Sequence, residues 1–286
     1  MSVRWSRKAR ILLATLALYS LSAAADDPLR VRVISDQPQQ RGAFLLALEQ
    51  VPSALPWSLV ESGADVTLAL GAAPFRRAVE EGGPVLGVSV PPAVVDEARR
   101  RDCQCSAIWS GVSLEQQLRL IEILFPGVSR VGVLYGPDSA WQPLPSAATA
   151  SLQLDWMPVS SAAGIGPLLR RYLPQWDLLL LPEDETLFNA GTAKLILLSG
   201  YRQRVPVVGP GQGFVNAGSV ASVHSSLPAL ARQTLRWLDQ WRQQGHWPSP
   251  DFVEHSSISV NEHVARAYNL PLWEPRALQR KWEEQP

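Results

Sequence analysis

Residues Ser110–Tyr135 read SGVSLEQQLRLIEILFPGVSRVGVLY, and this stretch decides how the rest of the chain is read. Ser113 stands where a helix N-cap belongs, and Gln116 three residues later completes a capping box. Leu114, Leu118, Ile121, Leu124 and Phe125 recur at helical spacing, while Glu115, Gln116, Arg119 and Glu122 fall on the opposite face. Pro126-Gly127 ends the helix, and Arg130–Tyr135 follows as a short apolar run of the kind found in parallel sheets covered on both faces. Strand patterns lie on both sides, so the unit reads as the crossover between two α/β halves.

Upstream, Leu29–Ser35 alternates apolar and polar residues as a first strand. Asp65–Gly71, Pro84–Val90 and Ser106–Trp109 follow as further strands, with Trp57–Glu61 a weaker one. Helical patterns occupy Ala43–Val51, Phe75–Glu81 and Ala93–Arg101. Downstream, Leu154–Val159, Trp176–Pro182, Val205–Gly209, Ser219–His224 and Phe252–Val260 read as strands. Between them lie helices at Ile165–Leu173, Thr186–Arg202, Pro228–Gln243 and Asn261–Tyr268, while Trp141–Leu152, with Pro143 and Pro145, is helix or loop. Alternation of this kind predicts an α/β fold of two Rossmann-like lobes, each with a parallel sheet. The expected division is 26–112 for the first lobe and 113–250 for the second. Residues 251–286 supply a late strand and helix crossing between lobes, and a tail. A length of 286 residues suits two such lobes, and 46% apolar with 18% charged residues allows a real core.

Residues 1–25 carry a different message. Arg4, Arg7, Lys8 and Arg10 precede the apolar run Ile11–Leu21, and Ala23-Ala24-Ala25 offers a small-residue cleavage site. The run is shorter than the ~20 residues needed to span a bilayer, so a cleaved secretory signal is expected, with no stable membrane insertion afterwards. Without those residues the chain has 22 basic against 26 acidic side chains, which leaves no basic footprint for nucleic acid. Three lysines beside twenty-three arginines suggest a GC-rich bacterial genome, and with it a periplasmic destination. Cys103 and Cys105 are the only cysteines, and free thiols or a bridge between them are both open.

Catalytic chemistry finds little footing. Gly87-Val88-Ser89-Val90-Pro91 begins like a nucleophile elbow but ends on proline where glycine is required. The glycines of Gly209-Pro210-Gly211-Gln212-Gly213 lack dinucleotide spacing. His224, His246, His255 and His263 show no metal-ligand pairing, so no catalytic residue, metal or cofactor is expected. A ligand cleft remains, because open parallel sheets bind beyond the carboxyl ends of their strands. The candidate positions are Ser35, Asp36, Gly71, Ala72 and Ser89 in the first lobe. Tyr135, Glu183, Asp184, Gln212 and His224 face them from the second.

The opening stretch also resembles the ABC-transporter substrate-binding proteins of type I periplasmic-binding-protein architecture. Asp177–Leu187 (DLLLLPEDETL), Val205–Val223 (VPVVGPGQGFVNAGSVASV) and Ile258–Leu272 (ISVNEHVARAYNLPL) extend the likeness over roughly Ala64–Leu272. The resemblance implies a small-molecule ligand held between lobes and an ABC permease as partner. An alternative is a periplasmic interaction protein signalling to a sensor kinase or outer-membrane receptor. Departures are visible too. The family's Thr-Gly is here Ser110-Gly111, Pro91-Pro92 stands where an aspartate-bearing stretch is usual, and residues 37–64 point to a shortened first lobe.

Overall fold

The computed structural model describes residues 27–143, 152–270 and 274–283. The expected signal segment and most of the stretch after Trp141 lie outside these residues.

Five parallel strands build the first sheet. They are β1 (Leu29–Ser35), β2 (Trp57–Leu59), β3 (Val66–Leu70), β4 (Val85–Val90) and β5 (Cys105–Trp109), in the order β2-β1-β3-β4-β5. Burial is nearly continuous along β3, β4 and β5, as a sheet covered on both faces requires, while β1 and the edge strand β2 are buried only in part. Helices α1 (Pro38–Gln50), α2 (Ala72–Glu81) and α3 (Pro92–Arg99) connect them. Pro38 and Pro92 sit in the first turns of α1 and α3, where proline loses no helical hydrogen bond. The short stretch after Ser35 thus carries a full thirteen-residue helix, and the trimming falls on β2, three residues long.

Six strands make the second sheet, in the order β11-β10-β9-β8-β6-β7, all parallel except β11. They are β6 (Arg130–Tyr135), β7 (Gln153–Pro158), β8 (Leu178–Leu180), β9 (Val207–Val208), β10 (Ala221–His224) and β11 (Ser257–Val260). Helix α4 (Leu114–Leu124) enters this lobe behind its capping box: Ser113 Oγ accepts from the Gln116 N–H and Gln116 Oε1 accepts from the Ser113 N–H, both 3.2 Å. One polar residue of α4 is fully buried. Gln117 Nε2 donates to the Val223 carbonyl (2.8 Å) and its Oε1 accepts the Val223 N–H (3.4 Å), meeting backbone groups of β10 past its last rung with β9.

Helices α5 (Ala162–Tyr172), α6 (Ala190–Gln203) and α7 (Gln212–Ala217) follow, then α8 (Leu227–Gln244), α9 (Glu262–Ala267) and α10 (Pro275–Glu283). Two of these, α7 and α10, have no counterpart in the sequence reading. Helix α8 corrects it. Expected in the second lobe, α8 packs on α1, β4 and β5 of the first, sharing one core with Val31, Phe44 and Leu48 through Leu230, Leu235, Trp237 and Leu238. Burying those four side chains contributes roughly 6–12 kcal/mol relative to leaving them exposed. An amphipathic stripe specifies burial but not which sheet provides it.

Beyond α8 the chain stays with the first lobe. Ser106 Oγ donates to the Pro248 carbonyl (2.7 Å), Trp247 Nε1 to the Gln104 carbonyl (3.1 Å), and the Trp109 N–H to the Asp251 carbonyl (2.8 Å). Only then does it cross to β11, so the strand expected at Phe252–Val260 shortens to its last four residues. The lobes are therefore joined three times, at 110–113, 225–226 and 252–256. Cys103 and Cys105 form a disulfide, with Cα atoms 5.2 Å apart.

Candidate functional site

Strand register brings the first-lobe candidates to one level. Ser35 pairs with Leu70, and Leu70 with Val88, so Ser35, Gly71 and Ser89 stand at adjacent carboxyl ends. Ser35 is held locally: its Oγ accepts the Gln37 N–H (3.1 Å) and donates to Gln40 Oε1 (3.0 Å). Asp36 is paired with Arg77 at 2.6 Å, both half exposed. Gly71 (φ +89°) turns the chain into α2, whose first residue is Ala72. Ser89 has φ +56° at an irregularity between Val88 and Val90, where the pairing with β5 shifts register. A left-handed serine at a strand end is a strained conformation that the surrounding fold holds in place.

In the second lobe, Leu180 pairs with Val208 and Val208 with Ala221, so Glu183, Gly211 and His224 each lie three residues beyond one row. Tyr135 ends β6 with its ring edge-on to Trp156 (centroids 5.7 Å). His224 is half-buried and its Nδ1 has no hydrogen-bond partner; desolvation holds its pKa below the ordinary value, partly offset by a backbone hydrogen bond at Ser222. Gln212 begins α7, exposed, with Nε2 on Asn216 Oδ1 (2.9 Å) and Oε1 accepting from the Ser259 hydroxyl.

The acidic pair divides into two different residues. Asp184 is buried and fully engaged. Its Oδ2 accepts from Ser139 Oγ (2.9 Å), and its Oδ1 accepts from Thr186 Oγ1 (2.6 Å) and the N–H groups of Thr186 and Leu187 (both 3.1 Å). That carboxylate organises the loop into α6 and has little left for a ligand. Glu183 has no hydrogen-bond partner for its carboxyl among the described residues. Loss of hydration, with the charge of Glu185 second, pushes its pKa up to about 7.

Glu183 is also where the lobes meet. Gly111 (φ +78°), in the first crossing, lies against it. The Glu183 carbonyl accepts the Ala140 N–H (3.3 Å), and Trp141 Nε1 donates to the Val112 carbonyl (2.7 Å). The carboxyl end of β5 is thereby held against those of β6 and β8. Sequence reading missed Trp109, the last residue of β5, packed edge-on to Phe252 (5.0 Å) with its buried Nε1 unpartnered. Its position directly before Ser110-Gly111 was the available signal. Among the described residues no cluster of three or more His, Cys, Asp or Glu could hold a metal ion, and no helix is long and apolar enough to cross a membrane.

No family model and no curated protein matches the sequence. Solved structures do. An ABC domain from Streptococcus pneumonia in complex with L-Trp superposes with a TM-score of 0.59 at 16% identity, covering 88% of this chain and 98% of that one. A ligand-free, open substrate binding protein with adhesive properties from Clostridium difficile gives 0.61 at 15% identity, covering 87% and 96%. The fold is that of type I periplasmic binding proteins. A conserved domain protein from Vibrio cholerae superposes with a TM-score of 0.59 at 17% identity, covering 88% of this chain and 97% of that one. At these identities the likeness concerns the fold.

Proposed function

We propose that this chain is a periplasmic solute-binding protein that captures a small ligand between its lobes and presents it to an ABC permease. The observation that carries the reading is the junction of Gly111 with Glu183. It sets the carboxyl ends of two parallel sheets against each other across three chain crossings, the arrangement that closes on a ligand. Ser35, Gly71 and Ser89 offer hydroxyl and backbone groups from one side, while Tyr135, Glu183 and His224 offer an aromatic face, a carboxyl and an imidazole from the other. An unpartnered carboxyl suits a ligand amine or hydroxyl. The basic, apolar and small-residue order of residues 1–25 supports export, with cleavage near Ala25. Among the described residues none of the strand-end candidates forms a nucleophile–base hydrogen bond, and our reading is of binding without turnover.

A thermal-shift screen of amino acids, amines and sugars, followed by calorimetry, tests the proposal. One compound should bind saturably at one site, and Glu183→Gln should weaken it roughly ten- to hundredfold, the loss expected for a charge-assisted bond in a partly dry cleft. Saturable binding that Glu183→Gln and Ser89→Ala both leave unchanged would remove the cleft from consideration.

A further inference from the structure

A second cavity, of about 790 Å³, lies between the first turns of α4 and α8, the crossing at 252–256 and α10. None of the ten strand-end candidates lines it, and residues from all three inter-lobe connections do: Ser113, Ser226 and the segment Phe252–Ser256. Several groups in its wall that lack partners among the described residues can donate hydrogen bonds. Ser256 is nine-tenths buried, and its Oγ has no partner. Arg119 lays its guanidinium over the Trp282 ring, 4.4 Å from the centroid, and donates Nη2 to the Trp282 carbonyl, yet its buried Nε has no acceptor. Arg232 is exposed on α8 and forms no ion pair among the described residues. Ser226 caps α8 by position only, since its side chain makes no cap hydrogen bond.

The carboxylates nearby are mostly occupied. Glu254 is held by Arg236 (2.6 Å), and Asp251 Oδ1 accepts the Phe252 N–H (2.7 Å). Only Glu115, exposed in the first turn of α4, remains unpaired among these three. Unmet donors, two guanidinium groups and the positive ends of two helices make a site for an acceptor-rich anion. We propose that this hinge cavity binds a small carboxylate- or phosphate-bearing anion, separately from the strand-end cleft. Arg232 travels with the first lobe, on which α8 packs, whereas Arg119 and Trp282 sit on the second-lobe side. An anion bridging them fixes the angle between lobes, so its binding is linked to cleft closure.

Calorimetry of the full-length chain with citrate and with inorganic phosphate, at constant ionic strength set with chloride, tests the site; the two arms distinguish a carboxylate from a phosphate source. At least one should bind saturably. Arg232→Gln should weaken that binding about tenfold or more, Glu115→Gln should tighten it, and Glu183→Gln, in the strand-end cleft, should not abolish it. Saturation should also alter the small-angle scattering profile. The proposal is overturned if neither anion binds above the chloride control, if Arg232→Gln binds as the parent does, or if Glu183→Gln alone abolishes binding, which would place the anion in the strand-end cleft. An identical scattering profile with and without bound anion overturns the link to closure.

Discussion

Gly111 lies flat against Glu183: a β-carbon added to the glycine would stand 3.0 Å from the glutamate Cβ and 3.5 Å from its Oε2. The contact joins the first crossing to the end of the second sheet, and it exists because position 111 has no side chain. Gly111→Ala meets two penalties, a left-handed φ of +78° that L-residues disfavour and a neighbour with little room to retreat. The expected loss is about 1–3 kcal/mol of stability, read as a lower urea midpoint. A midpoint equal to the parent's would mean that the lobes are not in contact here.

Asp184 and Glu183 are adjacent in sequence and should fail in different ways. Asp184→Ala leaves a buried hydroxyl and two backbone N–H groups without their acceptor, so a stability loss of about 2–4 kcal/mol is expected. Chemical denaturation measures it. An Asp184→Ala protein as stable as the parent would show that the loop into α6 does not depend on this carboxylate.

The pKa of Glu183 gives a pH signature. Its folded value of about 7 lies above the ordinary 4.5, so between those values the folded protein holds a proton that the unfolded chain has lost. Stability therefore declines as pH rises from about 4.5 through about 7, then levels off. Glu183→Gln removes that decline. It should match the parent at pH 4 and exceed it at pH 8 by on the order of 1–3 kcal/mol. Urea titrations at the two pH values decide the matter, and a constant difference between the proteins would rule out this group.

Local rules made several elements legible from the sequence. The alternation in Leu29–Ser35 and the apolar run Arg130–Tyr135 define strands that the structure reproduces residue for residue, and the Ser113–Gln116 box begins α4 as expected. Helix α1 begins earlier than its apolar pattern because Pro38 suits a first turn. Helix α7 is six residues long and opens on Gly211, too short for any period to show. Long-range relations were beyond reach for a different reason. Nothing in the spacing of Leu230, Trp237 and Leu238 says which sheet they cover. Likewise, nothing in Glu183-Asp184 says that one carboxylate is satisfied by Ser139, forty-five residues upstream, while its neighbour is left unpartnered.

The return of α8 to the first lobe reverses the order in which the two halves can be completed. A nascent chain displays every strand of the first sheet long before residues 227–244 exist to cover the inner faces of α1 and β4. Most strands and helices of the second lobe come from one uninterrupted stretch up to His224, with β11, α9 and α10 added later at its edge. The earlier-synthesised lobe is thus the one that waits, its apolar face open until residues 227–244 have been made. A nascent polypeptide of this topology has a long interval in which a holding chaperone has something to hold.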